Sequence, residues 1–388
     1  MKKFAKILTF WIPVRSWRHA AREKIISGLM KFIPLHNDWI VFYDTFSKSG
    51  NGDSTLPLAI ELRKQKPNMR FFFVSNTPRD IEMADEVLVV GTKRYEYIIT
   101  RAKYMITPMD IPYVNKRKSQ IWVMTWHGSP LKTIGLLRQD NATMREYVKS
   151  FRKCDYFCNT ASVFADLFKK SFDLADNVFI NTGLPRNDIL LHPDKDNIIP
   201  LVRKNLGIPK NKKILFYCPT WRRTDWRQPM PFNLQELEKS LGDEYVLLMR
   251  THVGKHDWID KNGNKMSLTD NRFVYDVGSY ENISELYLIS DVLITDYSST
   301  SFDFSLLERP QVLFAYDLEQ YIAEIGLTMD YYKFSPFPIA KTQNELLDAI
   351  KNSSKQKIND LRKFRQKYAE YETGTASKQI LSILGLED

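Results

Sequence analysis

Trp126-His127-Gly128-Ser129-Pro130 directly follows an apolar run, 121–125, that is typical of a strand. A histidine at the end of a strand can act as a general base, because its unperturbed pKa lies near the pH at which most enzymes work. Gly128 beside it would let the backbone come close to a ligand. We therefore predict that His127 accepts the proton of an attacking hydroxyl group; the alternative is a structural histidine.

Two further segments at predicted strand ends carry groups suited to holding an anion. Arg250-Thr251-His252 offers a guanidinium fork and a second imidazole, which could assist a leaving phosphate oxygen. Ser298-Ser299-Thr300-Ser301-Phe302-Asp303 follows the apolar run 292–295 and begins with four hydroxyl residues. Hydroxyl groups and backbone N–H groups at the start of a helix could bind a pyrophosphate. An ordinary helix cap with spare serines is the alternative.

The elements that would position these segments alternate between apolar runs and helical patterns. Strands are predicted at 39–43, 71–74, 87–90, 121–124, 178–180, 214–218, 245–249, 273–277, 292–295 and 312–315, and helices at 56–64, 95–104, 161–172, 281–289 and 302–308. This alternation predicts the α/β class, with parallel sheets covered on both faces. Prolines and charges at 191–212 indicate a linker between two doubly wound, Rossmann-like halves, and ligands would bind in the cleft between them.

We divide the chain accordingly into an arm (1–35), a first half (36–190), the linker (191–212) and a second half (213–388). The 388 residues carry a net charge of +10, and 43% of them are apolar, which is typical of a globular chain and excludes extensive disorder. The arm holds eight basic residues, one acid and two tryptophans. This mixture predicts an amphipathic helix that binds a membrane surface rather than nucleic acid. Packing of its apolar stripe on the protein itself is the alternative.

Several classes of site are not indicated. No apolar stretch reaches the roughly 18 residues that a spanning helix needs. The chain lacks the glycine-lysine pattern of a phosphate-binding loop, and Gly50-Asn51-Gly52 lacks the third glycine of a dinucleotide site. Cys154, Cys158 and Cys218 are an odd number, and we predict buried thiols in a reducing compartment. We expect no metal and no cofactor.

With these motifs in view, the chain resembles the CDP-glycerol glycerophosphotransferase family, the teichoic-acid primases and polymerases of Gram-positive bacteria. The likeness extends from about residue 43 to the C-terminus, with the motifs in the family's order. The segments that carry it are Thr125-Trp126-His127-Gly128-Ser129-Pro130-Leu131-Lys132, Thr182-Gly183-Leu184-Pro185-Arg186-Asn187-Asp188, Tyr217-Cys218-Pro219-Thr220-Trp221-Arg222, Arg250-Thr251-His252, 290–303, 314–321 and Gly374-Thr375-Ala376-Ser377.

The resemblance implies a GT-B fold and a reaction in which an acceptor hydroxyl attacks the β-phosphorus of a CDP-polyol and CMP departs. It implies His127 as the base and puts His252 in a donor-binding segment, where we predict from its imidazole that it is a second catalytic group. The substrate contacts that it and the motifs indicate are Trp126, Gly128, Ser129, Pro130, Arg186, Pro219, Thr220, Arg250, Thr251, Ser298, Ser299, Thr300, Ser301, Phe302 and Asp303.

The implied donor is CDP-glycerol, with CDP-ribitol as an alternative because enzymes for both share these motifs. The implied acceptor is an undecaprenyl-linked saccharide, which places the protein at the cytoplasmic face of the cell membrane as a peripheral protein. Two other classes stay open. A nucleotide-sugar glycosyltransferase of the same fold would release a nucleoside diphosphate instead of CMP. A nucleic-acid binder would need the basic charge in a groove, whereas the sequence concentrates it in the arm.

Overall fold

The computed structural model describes residues 2–30, 32–43, 53–78, 80–110, 116–138, 141–222, 228–251, 258–260, 262, 264–266, 268 and 272–387. The helices are α1 (Lys2–Thr9), α2 (Arg15–Met30), α3 (Thr55–Gln65), α4 (Lys93–Ile99), α5 (Asn141–Phe151), α6 (Ser162–Phe172), α7 (Asp188–Leu191), α8 (Lys195–Asn205), α9 (Leu234–Leu241), α10 (Ile283–Ile289), α11 (Thr300–Phe304), α12 (Leu318–Glu324), α13 (Gln343–Lys351), α14 (Ile358–Tyr368) and α15 (Ala376–Ile383).

The strands are β1 (His36–Tyr43), β2 (Arg70–Ser75), β3 (Glu86–Val89), β4 (Ala102–Thr107), β5 (Ile121–Met124), β6 (Tyr156–Cys158), β7 (Phe179–Ile180), β8 (Lys213–Tyr217), β9 (Gln228–Pro229), β10 (Tyr245–Met249), β11 (Trp258–Ile259), β12 (Val274–Asp276), β13 (Val292–Thr295), β14 (Gln311–Phe314) and β15 (Ile339–Ala340).

Two parallel sheets organise the chain. The first has the order β3-β2-β1-β4-β5-β6-β7 and the second the order β12-β10-β8-β13-β14-β15. Their central strands are almost continuously apolar and buried, as in β2 and β10, because side chains on both faces are covered. The α/β class with parallel sheets is therefore confirmed. The polar segments that follow β5, β10 and β13 come at the carboxyl ends of their strands, where ligands of such folds bind.

The C-terminal helices return to the first sheet. Ile380 and Leu381 of α15 lie in the same buried cluster as Leu58 and Leu62 of α3. In α14, the Tyr368 ring lies 5.9 Å from that of Phe164 in α6. Residues 213–388 thus supply part of the first sheet's covering layer.

The segment 191–212, expected to be a linker, contains the whole of helix α8. Val202 of that helix is buried with Leu190, Ile208 and Ile214 beside the second sheet. Its apolar face is covered as in any packed helix, although Pro200 lies within it.

The strands of the first sheet differ from the prediction in two places. Residues 95–104 were expected to form one helix, but α4 ends at Ile99 and β4 begins at Ala102, at the centre of the sheet. The apolar residues of the helix and the strand run together in sequence, which concealed the break. Strand β6 has only three residues and left no recognisable pattern.

All three cysteines are buried and free, which confirms the prediction of buried thiols. Burial raises the pKa of Cys154 and Cys158 to about 12 and that of Cys218 to about 11. Thiols in this state are poor nucleophiles at neutral pH, because the reactive thiolate is scarcely populated.

Candidate active site

His127 lies just beyond the end of β5 and is half-buried. Its Nδ1 is 3.1 Å from the carbonyl oxygen of Pro108. Since a carbonyl can only accept, this hydrogen bond places the proton of the neutral imidazole on Nδ1 and the lone pair on Nε2. Burial lowers the pKa of His127 to about 4, while the Pro108 hydrogen bond and the charge of Asp53 act in the opposite direction. The imidazole is therefore neutral at pH 7 and able to accept a proton.

Trp126 supports the imidazole from inside the first half. Its φ of 58° is unusual for a residue with a side chain, and it turns the chain sharply before His127. The buried indole lies with its centroid 3.9 Å from the His127 ring and 4.6 Å from the ring of Phe172. Trp126 was predicted to contact substrate, but its ring packs in the core.

Ser129 and Pro130 complete the segment after β5, and both are buried. The Ser129 hydroxyl lies 3.2 Å from that of Thr160, and the Pro130 carbonyl accepts a hydrogen bond from Thr328 Oγ1 at 2.6 Å. Both residues therefore tie the His127 segment to its surroundings, Ser129 within the first half and Pro130 across to the second.

Gly128 brings the two halves into close contact beside His127. Its φ is 146°, and a Cβ at this position would lie 2.6 Å from the Cβ of Ser299 and closer still to its Oγ. Arg186 Nη2 would be 3.5 Å away. Only a glycine allows the backbone of the first half to approach the 298–303 segment this closely. The structure thus brings together three of the predicted site residues.

Arg186 forms a buried ionic contact across the halves. Its Nη2 donates to Asp303 Oδ2 at 2.8 Å, and its Nη1 donates to Asp53 Oδ1 at 3.2 Å. Burial alone would lower the pKa of the guanidinium, but the two carboxylates raise it overall. Burial raises the pKa of Asp303, although Arg186 counteracts this. Arg186 and Asp303 were predicted to contact the donor, and the structure shows that they bind each other.

Asn187 and Glu372 extend this ionic network. The Asn187 amide donates to Asp303 Oδ1 at 3.1 Å and to Glu372 Oε1 at 2.9 Å. Glu372 also accepts from the backbone N–H of Leu184 at 3.2 Å. Burial raises the pKa of Glu372 to about 8, so most of this carboxyl group carries a proton at neutral pH.

A second ionic cluster lies at the carboxyl end of the second sheet. Asp296 accepts a hydrogen bond from the Thr220 backbone N–H at 2.7 Å and from Arg222 Nη2 at 2.9 Å. The Nε of Arg222 donates to Asp317 at 2.6 Å, and its Nη1 donates to the carbonyl of Thr220 at 2.7 Å. Thr220 and the neighbouring Pro219 are buried. Sequence reasoning predicted Thr220 and Pro219 but missed both carboxylates.

The Arg250 guanidinium is held by its own half. Its Nη1 donates to the carbonyls of Val277, at 3.1 Å, and of Tyr280, so this nitrogen is engaged by the protein. Thr251 is buried beside it. The predicted second catalytic group, His252, lies outside the described residues, as does the Gly50-Asn51-Gly52 segment.

The hydroxyl run divides between cleft and core. Ser298 accepts from the Thr300 N–H at 3.2 Å and donates to the Thr300 hydroxyl at 2.8 Å, which closes the turn before α11. Ser301 donates to Gln311 at 2.7 Å, and the Phe302 ring lies 5.6 Å from that of Phe364 in the core. Ser301 and Phe302 were predicted to contact substrate, but their side chains are engaged inside the fold.

Sequence reasoning missed Asp53, Asn187, Lys132, Arg222, Asp296, Asp317 and Glu372. Four of these, Lys132, Asn187, Arg222 and Asp296, lie close in sequence to residues that were predicted as part of the site, and their polarity near a strand end was the available signal. Asp53, Asp317 and Glu372 have no such neighbours. Among the described residues, no three His, Cys, Asp or Glu side chains are grouped as they would be to hold a metal. The assembled groups are a neutral imidazole, hydroxyls and paired charges, which suits proton abstraction beside a bound anion.

Comparison with known proteins identifies the family. Residues 27–385 match the family described as CDP-Glycerol:Poly(glycerophosphate) glycerophosphotransferase. A teichoic acid glycerol-phosphate transferase of Staphylococcus aureus is 36% identical over 78% of this chain and 86% of its own length. A teichoic acid poly(glycerol phosphate) polymerase of Bacillus spizizenii is 30% identical over 93% and 95%.

The solved structure of the wall teichoic acid polymerase TagF superposes with a TM-score of 0.82 at 28% identity, over 94% of this chain and 93% of that one. The match to the family extends through both halves, including the segments of His127, Arg186 and Asp303. The chain therefore belongs to the CDP-glycerol glycerophosphotransferase family and is an enzyme of teichoic acid biosynthesis.

Proposed function

We propose that this enzyme transfers glycerol phosphate from CDP-glycerol to a hydroxyl group of an undecaprenyl-linked saccharide and releases CMP. The observation that carries the proposal is the neutral imidazole of His127, beside the contact between Gly128 and Ser299 at the carboxyl ends of both sheets. A base in that place can activate an acceptor hydroxyl next to a donor bound by the second half.

In the proposed reaction the acceptor oxygen forms a bond to the β-phosphorus while its proton passes to Nε2 of His127. The bond from that phosphorus to the oxygen bridging the two phosphates breaks, and the electron pair leaves with CMP. The hydrogen bond to Pro108 holds the imidazole in the required tautomer, and it would stabilise the imidazolium that forms. His252 and Arg250 are proposed to assist the departing phosphate, and the alternative donor is CDP-ribitol.

The two halves would divide the substrates between them. We propose that the first half, 36–190, faces the acceptor and that the second half, 213–388, binds the donor nucleotide. The ion pair of Arg186 with Asp303 would hold the two halves at a fixed spacing. Removing one partner of a buried ion pair lowers the free energy of unfolding by about 3–5 kcal/mol, so separating the two groups would be costly. Within the 298–303 turn, we assign donor contact to Ser298, Ser299 and Thr300, which precede the residues whose side chains are engaged inside the fold.

The arm, 1–35, is proposed to bind the anionic cytoplasmic face of the membrane. In α1, Ala5 and Thr9 are buried against α2, and Arg22 Nε donates to Thr9 Oγ1 at 2.8 Å. The outward side presents large apolar groups, of which Phe10, Trp11 and Trp17 are 72%, 70% and 69% exposed. Exposed lysines, Lys3 and Lys6 among them, accompany these rings. Tryptophan beside lysine is typical of interfacial helices. Among the described residues, no helix has the length and apolar character required to cross a bilayer.

Membrane binding can be tested by flotation with anionic and neutral liposomes. Replacing Phe10, Trp11 and Trp17 by serine should release the protein from anionic vesicles while turnover of a soluble acceptor analogue persists. The matched control is Ile383→Ser, since Ile383 is also exposed but lies in α15. Flotation of the triple variant equal to that of the wild type would refute the assignment of this surface.

The transfer itself is tested by incubating purified protein with CDP-glycerol, CDP-ribitol or a UDP-sugar and an undecaprenyl-like disaccharide, with and without a first glycerol phosphate. CMP release with CDP-glycerol and a product heavier by glycerol phosphate would support the proposal. Ribitol addition would change the donor assignment. Release of UDP would return the glycosyltransferase alternative, and His127→Ala should abolish most of the CMP release.

A further inference from the structure

The arginines at the contact between the two halves are engaged by the protein itself. Arg186 is paired with Asp303 and Asp53, and Arg222 is paired with Asp296 and Asp317. Arg250 donates to two backbone carbonyls. A phosphate brings charge that must be balanced, and carboxylates already balance the charges of Arg186 and Arg222, although Arg186 Nε has no partner among the described residues. A phosphate bound at this contact therefore needs a further cation to balance its charge.

Lys132 is such a cation, and its backbone is anchored to both halves. It lies five residues after His127, and it forms an antiparallel bridge with Leu327 of the second half. On either side of that bridge, the Thr328 N–H donates to the carbonyl of Leu131 at 2.9 Å, and the Thr133 N–H donates to the carbonyl of Gly326 at 3.2 Å. The base of the side chain is thus fixed at the joint between the halves.

The ammonium group of Lys132 has no hydrogen bond or ion pair with any residue that the structure describes. Lys132 is half-buried. In the second half, the charge of Asp296 attracts the ammonium and that of Arg222 repels it. In its own segment, the charge of Lys132 lowers the pKa of His127. Asp296 does not pair with it, because its carboxylate already accepts from Arg222 and from two backbone N–H groups, of Thr220 and Tyr297. A half-buried cation with no direct partner is expected to attract an anion.

Buried hydroxyl groups beside the same Asp296–Arg222 pair also lack partners. The Thr220 hydroxyl follows the backbone N–H that donates to Asp296, and within the described part of the chain it has no hydrogen-bond partner. The Tyr321 hydroxyl is likewise unsatisfied among the described residues, and the Arg222 guanidinium lies 5.2 Å from its ring centroid. Unsatisfied buried hydroxyls are uncommon, and these two are available to a water molecule or to a polar group of a substrate.

We propose that Lys132 binds a phosphate oxygen of a substrate and is the cation that the first half contributes to the cleft. The inference rests on the proposed function and adds to it a residue and a charge contact. The phosphate could belong to the diphosphate of the donor or to a glycerol phosphate already attached to the acceptor. Both have the same chemistry, an anionic tetrahedral group, and they differ in which substrate loses affinity when the ammonium is removed.

The test compares Lys132→Ala and Lys132→Arg with Lys351→Ala, an exposed lysine in α13 far from the cleft segments. We expect Lys132→Ala to raise a substrate KM, or lower kcat/KM, by about 10- to 100-fold, the usual effect of losing a charged hydrogen bond. Lys132→Arg should recover part of this loss, and Lys351→Ala should behave as the wild type. A KM effect for CDP-glycerol indicates the donor diphosphate, and an effect only for acceptors that carry glycerol phosphate indicates the acceptor.

Two readouts separate phosphate binding from a structural role. Burial lowers the pKa of Lys132 to about 8, so the wild-type kcat/KM should fall as pH rises through this value, whereas Lys132→Arg should keep it because a guanidinium stays charged. Calorimetric titration with CDP-glycerol and with inorganic pyrophosphate measures binding without turnover. Weaker binding or a selective KM effect in Lys132→Ala supports the proposal. Unchanged KM values, affinities and pH profile in a folded Lys132→Ala overturn it, even if CMP release proves the transferase assignment right.

Discussion

Gly128→Ala tests whether the two halves meet beside His127, the proposed catalytic histidine, as the structure shows. The new methyl group would lie 2.6 Å from the Ser299 Cβ, inside any real contact distance, and the residue has a φ of 146°. We expect about 1–3 kcal/mol from the strained backbone and about 1–3 kcal/mol from overpacking. Summed over both effects, the free energy of unfolding should fall by about 2–6 kcal/mol.

Two further variants separate these contributions. Gly91 also has a positive φ, 83°, but nothing lies within 4 Å of its missing Cβ, so Gly91→Ala should show backbone strain alone. Adding Ser299→Gly to Gly128→Ala removes the atoms that the methyl would meet. Urea denaturation should therefore show partial recovery in the double variant and a smaller loss in Gly91→Ala.

Activity provides the second measurement for Gly128→Ala. Relief of the clash must separate Gly128 from Ser299, and this displaces His127 because it is the adjacent residue. A displacement near 1 Å at a reacting group lowers the rate by about 10²-fold, and CMP release from CDP-glycerol would detect it. If Gly128→Ala unfolds like Gly91→Ala and its kcat/KM stays within about threefold of the wild type, the contact between the halves is not formed as described.

Three charge changes have defined outcomes. Because burial lowers the pKa of His127 to about 4, kcat/KM should remain level from neutral pH down to about pH 5 and fall only near 4; an acid limb near the ordinary histidine value of 6.5 would contradict a buried base. Asp303→Asn leaves Arg186 short of a partner and should lower the free energy of unfolding by about 3–5 kcal/mol, whereas Glu244→Gln, in an exposed pair with Lys213, should change the urea midpoint little. Burial raises the pKa of Glu372 to about 8, so between pH 4.5 and 8 the folded protein keeps a proton that the unfolded chain has lost, and the free energy of unfolding should decline as pH rises through this range. Glu372→Gln should lack this decline. If the free energy of unfolding changes by the same amount in both proteins between pH 6 and 8.5, the reasoning is refuted.

The strands were predictable wherever an apolar run ends at a polar turn. The predicted runs 121–124, 245–249 and 292–295 coincide with β5, β10 and β13, since strands buried on both faces must be continuously apolar. Strand β4 was hidden because Ile98 and Ile99, the apolar end of α4, come shortly before it in sequence. Apolar patterning shows that a segment is covered, but it does not show which element covers it, and the return of α15 to the first sheet could therefore not be foreseen.

The candidate site was predictable in its positions and not in its pairings. His127, the Arg250 segment and the 298–303 turn lie after the ends of β5, β10 and β13, as expected. Arg186 and Asp303 lie 117 positions apart in sequence, and both were assigned to the donor, since an arginine predicted alone appears available to a phosphate. Only the folded arrangement shows that each charge is satisfied by another. A single sequence carries no signal for such pairs, because neither spacing nor composition brings them together.

These pairings explain how a cleft that handles a diphosphate can be stable when it is empty. A cleft lined with unpaired arginines would be destabilised by repulsion and desolvation, whereas here carboxylates balance the charges of Arg186 and Arg222, and Arg250 donates to two backbone carbonyls. The Arg186–Asp303 pair joins the two halves beside the contact between Gly128 and Ser299, so the proposed catalytic histidine, His127, is held in position before a substrate binds. Such a preorganised site needs little rearrangement during the reaction, and that favours catalysis. Few charges therefore remain for the substrate, and the half-buried Lys132 at the joint is one of them.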